Sequence, residues 1–275
     1  NGLQGGHSGD DIDKGRGNAN HLLARLLWHL NAGTDLRLHS FTGGNLSNAI
    51  PREASCLAGV PYDRKESVRV RLNVYQSELE AEFGPVEPNL KLDLTSEPAP
   101  TEIIVKNDSD RFISALYACP TGVIAMSHSL HGLVETSLNL ASVKETGANE
   151  WTVTTSQRSS VESAKFALSN RLEALFTLAG FSTSHGEGYP GWNPNPDSEL
   201  VKLVALTYKD LFAKEPRVRA IHAGLECGLF LQKYPGLDMV SFGPTMRGVH
   251  SPDERLHIPS VTMFWQLLTE TLKRL

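Results

Sequence analysis

One order of elements, read twice along the chain, narrows the possible folds more than any other feature. In the first copy Leu22, Leu23, Leu26, Leu27 and Leu30 recur at helical spacing. They predict a helix that starts at Ile12 or at Asn18, runs to Asn31 and is ended by Gly33. Leu36, Leu38 and Phe41 then alternate as a half-buried strand, and residues 54–60 read as a second strand beyond the turn-rich loop 42–52. A helix over 63–83, with Val68, Leu72, Tyr75 and Leu79 inward, and a short strand over 91–95 complete the copy. The second copy has a helix over 101–118, strands over 134–143 and 150–157, a helix over 161–179 and a strand over 181–185. Helix, strand, strand, helix, strand thus appears twice, as architecture rather than as repeated residues, and it predicts an α+β fold. Equivalence of the copies also asks for a strand ahead of His7 matching residues 91–95, so the chain is expected to be cut at its N-terminus.

Beyond residue 185 the pattern changes. Gly188, Pro190, Gly191, Pro194 and Pro196 suit neither helix nor strand and mark a crossing between domains. After it, a helix over 198–212, a strand over 217–221, a helix over 225–232, a strand over 238–242, a loop and a helix over 260–275 read as part of an α/β sheet. Two strands are thin for a self-sufficient doubly wound domain, so a piece of this domain is also expected to be absent.

A chain of 275 residues, 40% hydrophobic and 21% charged, is expected to form two globular domains. Its net charge of -5, with no cluster of Lys and Arg, argues against a nucleic-acid partner. No apolar run approaches a membrane span, and residues 1–7 lack the charged start and apolar core of a signal peptide. Cys56, Cys119 and Cys227 are odd in number and form no Cys-x-x-Cys pair, which fits a reduced, cytoplasmic setting.

Three stretches carry candidate chemistry. His250 stands on a Gly- and Pro-punctuated loop after a predicted strand, where open α/β sheets bind ligands. It reads as a metal ligand or general base with Asp253 and Glu254 to orient it, or else as a plain surface turn. In Gly5-Gly6-His7-Ser8-Gly9-Asp10-Asp11 the glycines allow close backbone approach, and Ser8, Asp10 and Asp11 offer acceptors to the following helix. His7 reads either as a hydrogen-bond donor in a site or as a cap on that helix. His222 and Glu226, four apart, could share a helix face as a metal pair, but Ala223-Gly224 favours a strand-to-helix turn whose backbone N–H groups approach a ligand.

Taken in order, Gly-Gly-His7-Ser-Gly, Asn48-Ala-Ile-Pro-Arg-Glu53, Val134-Glu-Thr-Ser-Leu-Asn139, Tyr189-Pro-Gly-Trp192, Ile221-His-Ala-Gly-Leu-Glu-Cys-Gly-Leu-Phe230 and Gly248-Val-His-Ser-Pro-Asp-Glu254 resemble the aminoacyl-histidine dipeptidase family. These are di-zinc metallopeptidases of the carnosinase and carboxypeptidase G superfamily, and the resemblance runs along the whole chain but to the C-terminal part of the family only. It implies an α/β protein in which residues 1–188 are a lid and dimerisation domain built of the two repeats. Residues 189–275 are then the closing segment of an α/β catalytic domain whose N-terminal half is absent. Implied too is a cytoplasmic hydrolase cleaving Xaa-His dipeptides such as carnosine, with two zinc ions per intact site and a homodimer formed through the lid. Among metal ligands only His250 carries over. His7 carries over as the residue that stabilises the oxyanion across the dimer, Arg158 as the receiver of the substrate's terminal carboxylate, and Asn48, Gly224 and Glu226 as substrate-facing positions. With one family ligand present, the chain alone is expected to bind zinc weakly or not at all and to be inactive. The alternatives are a non-catalytic dimerising fragment and a related amidohydrolase of another substrate.

Overall fold

Leu138, Leu140 and Val143 lie on one face of a single long strand, and the first of two units is built on them. The computed structural model describes residues 1–128, 130–147, 150–186, 188, 190–192, 195, 197–218, 226–247 and 254–275. It divides into a first unit of residues 1–191 and a second unit that begins at Trp192.

The first unit runs β1 (Gly6–His7), α1 (Ala19–Thr34), β2 (Arg37–Gly43), β3 (Ala49–Ile50), β4 (Ala54–Gly59), α2 (Lys65–Phe83), α3 (Lys106–Ala118), β5 (Gly122–Met126), β6 (Val134–Gly147), β7 (Glu150–Ser159) and α4 (Glu162–Leu178). Its main sheet is antiparallel in the order β4-β2-β6-β5, with β7 also on β6. The halves of this sheet meet at one ladder position, Gly43 opposite Val143. A register shift between Leu140 and Ser142 lets Leu138, Leu140 and Val143 all enter one core despite the odd spacing. There they pack with Leu26, Leu27 and Leu30 of α1, Ile113 and Leu116 of α3, and Leu168 and Leu172 of α4. The core is closed by Tyr75 of α2, whose hydroxyl donates to the Leu22 carbonyl at 2.9 Å.

Several expected boundaries move, each for a local reason. Of the two expected starts for α1, the structure takes the later: Asn18 is the N-cap, its side chain accepting from the His21 N–H. Gly33 does not end the helix, because Asp35 takes the left-handed conformation instead, with φ 48°. Residues 91–95 form no strand. The Lys91 N–H and carbonyl bond to Asn1, and the Leu92 N–H goes to the Gln76 side chain at 2.9 Å, so the ladder groups are already used. Residues 181–185 form none either: with Gly180 at φ 83°, the Phe181 N–H reaches back to the Phe176 carbonyl and closes α4. α3 starts at Lys106 rather than 101, since the Ile104 N–H donates to the Leu38 carbonyl and holds the chain extended. β5, which the sequence reading passed over, fills the second half. The halves are therefore alike in having helix, strands, helix, and the closing strand of each expected repeat is missing.

The second unit has α5 (Glu199–Phe212), α6 (Glu226–Lys233), β8 (Met246–Arg247), β9 (Arg255–Leu256) and α7 (Ile258–Arg274). α5 packs on α7, burying Val204 and Leu267, and Arg274 donates to Asp210 at 2.6 Å. Ser198 caps α5 and donates to Asp238, whose other oxygen accepts from the Leu200 N–H at 2.9 Å. Asp238 is thereby held at the head of a helix, and residues 238–242 are not a strand; nor are 217 and 218. The α/β sheet expected here is not found among the described residues, where the strands of this unit are the pair β8 and β9. No described helix is long and apolar enough to cross a membrane.

Candidate functional site

The face of β6 opposite the main core is polar and carries the candidate site. Ser137 and Asn139 are buried there, between core residues Leu138 and Leu140 that point the other way. Asn139 donates to the Ala49 carbonyl at 2.7 Å and accepts from the Asn18 side chain at 3.2 Å. Asn18 also donates to the Leu140 carbonyl and to Thr121. One buried amide pair thus joins the head of α1, the centre of β6 and the strand β3. On β3 lies β1, with His7 opposite Ala49 and Gly6 opposite Ile50.

His7 is held by its own loop. Its Nδ1 accepts from the backbone N–H groups of Gly9 at 3.3 Å and Asp10 at 3.2 Å, while its backbone N–H donates to Asp11 at 3.0 Å. In a neutral ring this assigns the proton to Nε2, so the ring is a donor at Nε2. The imidazole is 20% exposed and its Nδ1 is 3.6 Å from the Asp10 carboxylate. With Asn18 as the cap of α1, His7 does not cap that helix. Gly6 is required for the approach: at φ 138° a Cβ would lie 2.1 Å from Arg16 and 2.5 Å from Asp11.

Arg158 comes from β7, opposite Ser137 in the ladder, so it shares the polar face. Its Nε is buried without a partner. Burial lowers the guanidinium's pKa from its ordinary value, and the Asp10 carboxylate acts against that shift. A desolvated planar cation with unspent donors is suited to a carboxylate ligand. Asp10 ties the two functional groups together, since its N–H serves His7 and its charge serves Arg158. Beside them Ser8 has a buried hydroxyl without a partner, and its N–H donates to the Asn48 carbonyl at 2.8 Å. The first unit thus brings together His7, Asn48 and Arg158 from three distant stretches.

The remaining candidates are Gly224, Glu226 and His250. His250 and Gly224 lie outside the described residues, and of Glu226 only the backbone, at the first position of α6, is described. Among the described residues no three His, Cys, Asp or Glu side chains converge on a point that could hold a metal ion. Those residues do not by themselves fit a zinc site. Buried Cys119 and half-buried Cys56, which packs against the core, each have the thiol pushed up to about 12 by desolvation and are unreactive.

Asp10 and Asn139 were overlooked as site residues on sequence grounds. Asn139 left one visible signal, a polar side chain between Leu138 and Leu140.

This geometry, a histidine donor and an arginine on the polar face of a helix-covered sheet, sits in a unit whose residues 1–87 match the family model described as peptidase dimerisation domain. Over 274 residues the chain is 46% identical to the cytosol non-specific dipeptidase of Escherichia coli (strain K12), covering 100% of the chain and 56% of that protein. The crystal structure of aminoacylhistidine dipeptidase from Vibrio alginolyticus matches with a TM-score of 0.89 at 40% identity, again over 100% of the chain and 56% of its own. The chain is similar to these dipeptidases along its whole length, and it spans about half the length of these relatives.

Proposed function

We propose that the chain supplies the lid, residues 1–188, and the closing segment of the catalytic domain, residues 189–275, of a cytoplasmic zinc-dependent dipeptidase acting on Xaa-His dipeptides such as carnosine. The observation that carries this reading is the pair of backbone donors on His7 Nδ1, which in a neutral ring puts the proton on Nε2 and makes that nitrogen the donor. In this reading Arg158 receives the substrate's terminal carboxylate, and His7 stabilises the tetrahedral oxyanion, a contribution of about 3 kcal/mol. Asn48, Gly224 and Glu226 border the substrate, and His250 is a metal ligand. A zinc ion held in part by His250 in the intact site would supply Lewis-acid chemistry. The lid makes a homodimer, as the match to a dimerisation domain supports, and His7 acts on the partner's site. Alone, the chain has no turnover.

In the full-length protein, His7→Ala should lower turnover about a hundredfold while leaving zinc content and thermal stability near wild type, because the lost bond belongs to the transition state. Unchanged turnover would remove His7 from the mechanism. Mixing His7→Ala subunits with His250→Ala subunits should restore part of the activity if His7 acts across the dimer. No recovery after verified subunit exchange would place its action within one subunit. A second reading, broad dipeptidase activity without a histidine preference, is favoured by the name of the Escherichia coli relative. Comparing kcat/KM for Xaa-His and Xaa-Leu substrates separates the two.

A further inference from the structure

The loop that carries His7 is closed at its base by one buried carboxylate. Glu87, 2% exposed, follows the C-terminal end of α2. One of its oxygens accepts from the Gln4 backbone N–H at 2.7 Å and the other from the Gly17 backbone N–H at 3.0 Å. Gln4 and Gly17 are the two ends of the segment 5–16. Inside that segment His7 N–H donates to Asp11, Asp11 pairs with Arg16 at 3.2 Å, and Arg16 donates to the Gly5 carbonyl. The segment is a compact loop, wired internally and paired with β3 through β1, and Glu87 is the residue that bonds both of its ends. Both Glu87 oxygens are spent on backbone donors at opposite ends of the loop, which a glutamine cannot reproduce. Its one oxygen would serve one N–H, and its NH₂ would face the other.

We infer that Glu87 is a positioning residue for His7: by drawing together the backbone at Gln4 and Gly17 it fixes the loop in the one shape that turns the Gly9 and Asp10 N–H groups onto Nδ1. The carboxylate does not touch substrate and acts only through the loop. Nothing in α2 or in the main core needs these two bonds, since Tyr75 and Leu79 anchor that helix independently. What Glu87 controls is therefore the imidazole's tautomer and aim. The inference rests on the proposed role of His7 only for its consequence in catalysis, because the ring's state is measurable without turnover.

The test compares the wild-type chain with Glu87→Gln and Glu87→Asp, the second keeping the charge but losing the span. Imidazole ¹⁵N shifts of His7, followed against pH to the plateau of the neutral ring, are read beside amide hydrogen exchange. The wild-type ring should show the Nε2–H form. In both variants the Gln4 and Gly17 amides should exchange at least about tenfold faster, amides in α1 and β6 should stay within about twofold, and the His7 shifts should move toward a mixture of tautomers. Unchanged His7 shifts in the two variants would overturn the inference. So would collapse of protection in α1 and β6 in both, which would make Glu87 a support of the whole unit rather than of the loop. A wild-type ring lacking the Nε2–H preference would overturn the reading of His7 itself, and this inference with it, before any substitution is made.

Discussion

The first unit buries a continuous core under its sheet, whereas the second, among its described residues, buries only Val204 and Leu267 as apolar side chains. Its helices are no less amphipathic in sequence. Ile258, Trp265 and Leu272 of α7 remain 76%, 62% and 61% exposed, and Leu206 of α5 stays exposed as well. The contrast teaches that an apolar stripe specifies a helix but not its partner: α1 has a sheet and two neighbouring helices to bury its leucines, while α7 has α5. It also explains where the site lies. Positioning a donor to within fractions of an ångström calls for a backbone that does not fluctuate, and the polar face of β6 is backed by the main core of the first unit.

The sharpest way to break the comparison is to remove one buried leucine from each unit. Leu138→Ala should destabilise the first unit by about 3–4 kcal/mol, since the surrounding strands cannot close the cavity. Leu267→Ala should cost the second less than half as much. Unit-resolved hydrogen exchange in urea measures both, and equal losses would show that the second unit is as cooperatively packed as the first.

Helix caps give the next largest difference. Asn18→Ala removes the cap of α1 and leaves the Asn139 side-chain oxygen short of a donor, while the Leu140 carbonyl keeps Asn20, so a loss of about 2–3 kcal/mol is expected. Ser198→Ala removes the same kind of cap from α5, yet Asp238 still accepts from the Leu200 N–H. A loss of about 1 kcal/mol follows there. Thermal melts of the two variants would test the ranking, and a reversed order would contradict the buried network beneath β3.

At the surface the units should become alike. Arg25 grips Glu82 through two bonds of 2.7 and 2.6 Å and holds its carboxyl below the ordinary 4.5. Because the folded state binds that proton less readily than the unfolded, the contribution is complete above about pH 4.5 and is lost as pH falls through the lower folded value. With Glu82 42% exposed, Glu82→Gln should cost about 0.5 kcal/mol or less at neutral pH and nothing in acid. Glu270, lowered by Arg274 and Lys273 in the second unit, loses its contribution on the same side of neutrality. Stability measured against pH for Glu82→Gln should converge with wild type at the acid end, and a gap that widens there would reverse the sign.

Where an element's own residues settle its conformation, the sequence was readable. The leucine stripe of α1, the alternation of β2 and β6 and the inward side of α4 all appear in the structure close to where periodicity predicts them. What periodicity could not show was competition for backbone groups. Residues 91–95 and 181–185 have strand-like patterns, but Asn1, Gln76 and the end of α4 take their N–H groups first. Asp238 likewise leaves a strand pattern to cap a helix 40 residues away in sequence. Of the site, His7 could be singled out from its glycines and from resemblance, and Arg158 from resemblance alone. Their connection through Asp10, and the support from Asn18 and Asn139, depend on contacts between residues more than a hundred positions apart.

The single ladder position that joins the halves of the first unit also sets a clock on biosynthesis. Gly43 must wait for Val143, and about a hundred residues separate them. At roughly 5–20 residues per second a ribosome needs about 5–20 seconds to deliver the second after the first. During that interval the Gly43 end of β2 has β4 on one side and nothing on the other, and glycines at 43 and 44 leave it no side chain to fend off a foreign strand. The closeness that lets the halves dock, with Gly44 packed so near the Ala141 carbonyl that a Cβ would lie 1.9 Å from it, is what leaves the nascent chain open to a neighbour on the same message.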